Sequence, residues 1–228
     1  MISILMPIYN GIEFIQDSVF SILSQTFETW ELIIGINGHP PNSDTYKIAY
    51  IFQTIYPDKI KVLDFYHIGG KSTTLNAMIA YCKYDYVALL DVDDIWIPNK
   101  LEIQSSYLYK YDVIGTKCVY FGDINGNVPD IPVGDLSEIP FLLGNPMINS
   151  SVLIRKEYCH WEENGIEDYE LWLRLKYQGR TFFNCQDVLV RHRIHSNSAF
   201  NSKGQHKDKG KELIEYYSNL YSEHRFVV

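Results

Sequence analysis

The chain has 228 residues with 28 acidic and 20 basic side chains, a formal charge of −8, and 46% of its residues are apolar. This balance excludes a nucleic-acid binder working by phosphate neutralisation, which needs a positive surface. It also excludes intrinsic disorder as the main description, because so apolar a chain can build a core.

The first residues, Met1 to Pro7, have neither a basic leader nor a small-residue cleavage site, and they read as a first strand rather than a signal peptide. The longest apolar run is the six residues Ala77 to Cys82, far short of the ~20 needed to span a bilayer. A cytoplasmic protein without a membrane span is the expectation. Cys82, Cys118, Cys159 and Cys185 are widely spaced, so buried free thiols are expected rather than a metal site or disulfide framework.

Two periodicities alternate through the first half. Ile2 to Ile8 is a short apolar run. After Asn10-Gly11 the residues Ile15, Val19, Ile22 and Leu23 recur at helical spacing. Glu31 to Ile34 is a second buried strand, and Ile48, Ile51, Phe52 and Ile55 mark a helix closed by Pro57. Ile60 to Phe65 is a third strand. Leu75, Met78, Ile79 and Cys82 form one face of a helix with Ser72 or Thr73 as candidate N-cap. Tyr86 to Leu90 is a fourth strand that runs straight into Asp91-Val92-Asp93-Asp94. Alternating strands and helices predict a mostly parallel sheet with helices on both faces. Ligands of such sheets sit beyond the carboxyl ends of the strands. Tyr9, Asn37 and Asp91 to Asp94 all fall there.

The second half is less regular. Val113 to Phe121 reads as a strand leading into a hairpin turn at Asp123 to Asn127, and the stretch from Pro129 to Pro146, with four prolines, as mostly irregular. Val152 to Arg155 is another strand. A helix carrying Leu171, Trp172 and Leu175 begins near Glu167-Asp168, and Thr181 to Phe183 and Val188 to Val190 are short extended segments. Ser196 to Gly210 is expected to be a mobile loop, a candidate lid, before a terminal helix from Lys211 to Tyr221. No repeat or linker divides the chain, so one domain is expected.

Three carboxylates within four residues, Asp91, Asp93 and Asp94, repel one another, and a divalent cation that prefers oxygen, Mg²⁺ or Mn²⁺, is the usual reason to gather them. Such a metal can hold a diphosphate as it leaves. The competing explanation is that Asp93 or Asp94 caps the helix ahead of Trp96 to Lys100. Gly69-Gly70-Lys71-Ser72 is no phosphate-binding P-loop, because the position of its earlier glycine is Phe65. Glu167 and Asp168 also suit an ordinary first helical turn, where the dipole favours acids.

Pro7-Ile8-Tyr9-Asn10, Glu31 to Ile34 before a glycine-containing loop, Leu90 to Asp94, and Glu167-Asp168-Tyr169-Glu170-Leu171-Trp172 resemble, in order, the motifs of family 2 glycosyltransferases. Arg193-Ile194-His195-Ser196-Asn197-Ser198 is similar to that family's closing motif. The resemblance implies a single GT-A domain, α/β with a Rossmann-like mostly parallel sheet. Residues 1–95 would be its nucleotide-sugar-binding half, 96–200 an irregular acceptor-binding and catalytic half, and 201–228 a loop and C-terminal helix. It further implies an inverting, metal-dependent transferase that moves a sugar from a nucleotide diphosphate to a hydroxyl of a glycan, glycoprotein or lipid-linked acceptor. The competing functions are a sugar nucleotidyltransferase and a non-catalytic nucleotide-sugar or carbohydrate-binding module.

By the same resemblance Asp168 would be the general base. Pro7 and Tyr9 would lie against the nucleotide base, with Asp91, Val92 and Asp93 at the donor. Asp93 would bind the metal directly, joined by Asp91 and His195. The family's base-reading acid is replaced here by Asn37, whose amide suits a pyrimidine edge, so a UDP-sugar is favoured with dTDP as the alternative. The family's Arg-Asn pair becomes Leu75-Asn76, and Lys71 is the candidate replacement cation at the nucleotide. Arg193, Trp161, Glu167 and Trp172 are candidate phosphate or acceptor contacts, Trp161 as a surface on which a sugar stacks.

Overall fold

The structure is a computed structural model describing residues 1–196 and 205–224, with side chains described over 208–222 in the second segment. Strands β1 (Ile2–Ile8), β2 (Trp30–Asn37), β3 (Ile60–Phe65) and β4 (Tyr86–Leu89) pair in parallel in the order β3-β2-β1-β4. Helices α1 (Ile15–Leu23), α2 (Asp44–Ile55) and α3 (Lys71–Ile79) make the crossovers. Every residue of β2 and all of β1 except Pro7 are buried, as expected of strands covered on both faces.

Alternation along the strands divides the core in two. Ile2, Ile4, Met6, Leu32 and Ile34 point towards Ile15, Val19 and Ile22 of α1 and Ala49 of α2. Leu5, Ile33, Val87 and Leu89 point the other way, towards Leu75 and Met78 of α3. That second layer also holds Leu171, Trp172 and Leu175 of α5 (Glu167–Tyr177).

Past β4 the sheet continues with β5 (Ile95–Trp96), β6 (Val113–Gly122), β7 (Gly134–Asp135), β8 (Leu153–Arg155) and β9 (Phe182–Ile194), in the order β4-β8-β6-β9-β5, with β7 also on β9. β8 runs antiparallel to β4 and β6, and β9 parallel to β6. The short helix α4 (Lys100–Ser105) leads into β6.

Several sequence expectations are corrected. The two extended segments Thr181 to Phe183 and Val188 to Val190 are parts of one strand, β9, interrupted where its pairing jumps from Thr116↔Cys185 to Lys117↔Val188. Polar Gln186 and Asp187 occupy that bulge and hide the continuity from any pattern of alternation. The turn after β6 forms, with Gly126 donating its N–H to the Tyr120 carbonyl at 3.0 Å, but no described strand follows it directly. The last helix, α6 (Gln205–His224), starts before the expected Lys211. Residues 197–204, the remainder of the expected loop and lid, lie outside the described residues. Asp93 and Asp94 cap no helix, because α4 begins at Lys100 behind Asn99. All four cysteines are free; Cys82, Cys118 and Cys185 are buried and Cys159 half-buried. No helix among the described residues is long and apolar enough to cross a membrane.

Candidate active site

Parallel pairing places the carboxyl ends of β1, β2 and β4 on one edge of the sheet, where Tyr9, Asn37 and Asp91 gather. Tyr9 is 57% exposed, and one edge of its ring lies against Gly38, where an added Cβ would come within 2.7 Å of it. Gly38 also has a left-handed backbone (φ 70°), so glycine is required twice over. His39 flanks Tyr9, with ring centroids 5.5 Å apart and a ring nitrogen bonded to the Tyr9 carbonyl. Asn37 is buried, and its amide donates to the Gly70 carbonyl at 3.5 Å, bracing the loop before α3.

Asp91 is the most strongly held acid of the cluster. Its Oδ1 accepts from Lys71 Nζ at 2.7 Å and its Oδ2 from Asn149 Nδ2 at 3.0 Å, while its N–H donates to Ser150 Oγ at 3.1 Å. Burial resists the charged carboxylate, but the Lys71 ammonium and these hydrogen bonds prevail and hold its pKa below the ordinary value. Lys71 also lies 3.7 Å from Glu167. Burial disfavours its charge, yet Asp91 and Glu167 outweigh that and raise its pKa.

Asp93 and Asp94 diverge. Asp94 is fully buried, with Oδ2 2.9 Å from His192 Nδ1 and Oδ1 accepting the Arg193 N–H at 2.8 Å, so it ties β9 to the end of β4. Burial opposes a charged His192, but the Asp94 carboxylate raises its pKa. Asp93 remains partly exposed, with Oδ2 3.0 Å from His195 Nε2. Burial first, then the charges of Asp94 and Asp91, push the Asp93 pKa up, and His195 opposes them. Val92 turns inward against Gly11. A carboxylate destabilised by its neighbours, beside an imidazole nitrogen, is a donor pair suited to a divalent cation. Asp91 suits a metal less well, because both its oxygens already have partners. Among the described residues no group of three or more His, Cys, Asp or Glu side chains stands assembled as a metal site.

Asp168 lies in the first turn of α5. Burial and the adjacent Glu167 raise its pKa, and Lys71 counteracts them. Its Oδ1 accepts from the Tyr169 N–H at 2.7 Å and its Oδ2 from Asn145 Nδ2 at 3.1 Å. The loop leading to it is fastened to α3. Ser72 Oγ donates to the Glu162 carbonyl at 2.9 Å, and Glu163 Oε1 accepts from Thr73 N–H at 2.7 Å and from its hydroxyl at 2.6 Å. Glu163 therefore supplies the helix cap expected of Ser72 or Thr73, and the helix starts at Lys71, two residues earlier than a Ser72 cap would place it, after Gly70 (φ 89°). An added Cβ at Gly70 would come within 2.5 Å of that carboxylate.

Four of the expected contacts are placed elsewhere. Asn76 donates to the Trp161 carbonyl at 2.8 Å and accepts its N–H at 2.9 Å, so both ends of the amide are occupied by the backbone of Trp161. Trp161 and Trp172 are 1% and 0% exposed and are core residues, offering no face to a sugar. Trp172 belongs to the apolar stripe of α5 itself, and Trp161 packs in the same layer. Arg193 is spent on Asp17 (2.9 Å) and the Asp93 carbonyl (2.8 Å), and its guanidinium lies over Phe14 and Phe121. Asn145, Asn149, Ser150 and Glu163 were missed, because they sit in irregular segments with no spacing that reveals a partner.

A model of the family described as glycosyl transferase family 2 matches residues 3–212. An uncharacterized glycosyltransferase of Rickettsia felis is 30% identical over an alignment covering all of this chain and 40% of its own length. The chain thus spans about two-fifths of that relative. The Escherichia coli UDP-Glc:alpha-D-GlcNAc-diphosphoundecaprenol beta-1,3-glucosyltransferase WfgD is 27% identical, with 89% of this chain and 81% of that protein covered. Among solved structures, Staphylococcus aureus TarS with UDP-GlcNAc superposes with a TM-score of 0.74 at 14% identity, covering 95% of this chain and 65% of that one. The Pyrobaculum calidifontis mannosyltransferase PcManGT, solved with GDP-Man and Mn²⁺, gives 0.67 at 12% identity, with coverages of 87% and 58%. These likenesses show the GT-A fold, and with the family match over nearly the whole chain they place it: this protein belongs to glycosyl transferase family 2.

Proposed function

We propose that the protein is an inverting glycosyltransferase that moves a sugar from a nucleotide diphosphate to an acceptor hydroxyl, with Asp168 as general base. The observation that carries this reading is the Lys71 ammonium, which lies 2.7 Å from Asp91 on the donor side and 3.7 Å from Glu167, the neighbour of Asp168. One side chain thereby joins the strand-end acids to the helix start that bears the base. The Asp168 carboxylate takes the proton of the acceptor hydroxyl as its oxygen attacks the anomeric carbon. The bond from that carbon to the diphosphate oxygen breaks, and the nucleoside diphosphate leaves with the electron pair.

Asp93 and His195 are the residues that would hold a divalent ion, Mn²⁺ or Mg²⁺, which neutralises charge on the departing diphosphate. Tyr9 offers the exposed ring for the nucleotide base, and Pro7 lines the same strand end. UDP-Glc in the name of WfgD and UDP-GlcNAc bound to TarS support a UDP-sugar donor. The acceptor is a glycan or lipid-linked sugar, the second being the class named for WfgD.

The test is transfer from UDP-sugars to a panel of acceptors, paired with calorimetry of UDP with and without Mn²⁺. Asp168→Asn should abolish transfer and keep UDP binding. Asp93→Ala should lose the Mn²⁺-dependent part of UDP binding together with transfer. Full transfer by Asp168→Asn refutes the base assignment.

A further inference from the structure

The irregular segment between β7 and β8 brings one polar side chain to the base. Asn145 Nδ2 donates to Asp168 Oδ2 at 3.1 Å, and Asn145 Oδ1 accepts the Met147 N–H at 3.1 Å. The amide is thus fixed at both ends. Rotating it by half a turn would aim its oxygen at the carboxylate and its NH₂ at a backbone N–H, losing both bonds at once. The backbone that presents it is anchored in turn. Asn184 of β9, fully buried, donates to the Pro146 carbonyl at 2.9 Å and to the Pro132 carbonyl at 2.8 Å, and Met147 is 2% exposed. An exposed asparagine with its orientation set by buried neighbours is not an ordinary loop-surface residue.

We propose that Asn145 is a positioning residue for the transfer reaction, holding the Asp168 carboxylate in the orientation that meets the acceptor hydroxyl. The inference rests on reading Asp168 as the base. The Tyr169 N–H holds one carboxylate oxygen from within α5, and Asn145 holds the other from the segment between β7 and β8. Between them they fix rotation about the bond to the carboxyl group, and each oxygen keeps a lone pair. The amide donor also favours the ionised form, which the reaction needs. The charged groups around Asp168 are Glu167 in its own helix, Lys71 at the start of α3 and Asp91 beyond β4. Glu167 and Asp91 disfavour its charge and Lys71 favours it, so a neutral donor on the far side adds stabilisation without adding charge.

The experiment is a carboxyl-carbon NMR titration of the whole chain labelled with ¹³C-aspartate, the Asp168 signal being assigned by its absence in Asp168→Asn. Asn145→Ala should raise the Asp168 midpoint by about 1 pH unit, as expected on removing a hydrogen bond to a charged acceptor. Asn145→Asp preserves the shape and the acceptor for Met147 N–H but sets a second carboxylate against the first, so its midpoint should be higher still. A purely structural role would alter the melting temperature and leave the midpoint in place. An unmoved midpoint in both variants, each folded by its NMR spectrum, overturns the proposal and leaves the base assignment standing. Full transfer activity in Asp168→Asn overturns the base assignment, and the proposal with it.

Discussion

Replacing Lys100 with Met isolates the cost of one buried amine. Lys100 is the first residue of α4 and is fully buried. Its Nζ donates to Gln104 Oε1 at 2.7 Å and lies 4.0 Å from the centroid of the Trp96 ring, and among the described residues no carboxylate pairs with it. Cys185 of β9 is the titratable neighbour that slightly favours its charge, but burial dominates and pushes its pKa down to about 7 from 10.5. Between those values the unfolded chain carries the proton and the folded chain does not, so stability from this group rises with pH across that window. Below about pH 6 both states are protonated and the fold bears the full cost, about 5 kcal/mol, falling to about 2 kcal/mol at pH 9. Lys100→Met removes this penalty. It also leaves Gln104 Oε1 without its donor, at about 1–3 kcal/mol and independent of pH. Urea unfolding followed by tryptophan fluorescence should therefore find the variant more stable than the parent at pH 6, by about 2–4 kcal/mol, with the gap closing by pH 9. The slope, not the intercept, is the test, because packing and the orphaned amide shift both ends alike. A difference that stays flat between pH 6 and pH 9 refutes a neutral buried lysine.

Gly115→Ala would set a methyl group 2.2 Å from Asn184 Oδ1 and 2.7 Å from Met147 Cε in the buried layer under the site. Displacing Asn184 breaks its two bonds to Pro132 and Pro146, and the expected loss of about 2–4 kcal/mol is measurable by denaturant unfolding. Asn76→Ala removes two hydrogen bonds to the Trp161 backbone. It should lower stability by about 2 kcal/mol and leave calorimetric UDP affinity at the parent value; a fall in affinity without a loss of stability would return Asn76 to the donor site. Burial pushes the thiols of Cys82 and Cys185 up to about 11 and that of Cys118 to about 12. A thiol-disulfide reagent at pH 8 should then label the three only at the rate of unfolding, and rapid labelling of the native protein would contradict their burial.

The alternation of short apolar runs with helical stripes up to Asp94 was enough to derive four parallel strands, their crossover helices and the edge where the acids collect. This works because burial on both faces imposes a local pattern on every such strand. The ordered motifs resemble those of the family, and Tyr9, Asp91, Asp93 and Asp168 each stand next to a strand end or helix start that is itself visible in the sequence. What the three carboxylates do individually depended on contacts with distant residues. Asp91 is paired with Lys71 and hydrogen-bonded by Asn149, Asp94 is buried against His192, and Asp93 is partly exposed beside His195. Those pairings span about 20 to 100 residues of chain, a separation no local periodicity encodes. Trp161 and Trp172 show the same limit from the other side. An aromatic residue near an acidic helix start looks the same in sequence whether it faces solvent or core, and the packing of α5 on the sheet decided that both are core. Asn145 could not be read at all. Its place depends on a turn held by Asn184 from another strand, and only the folded chain brings that turn to within hydrogen-bond distance of Asp168.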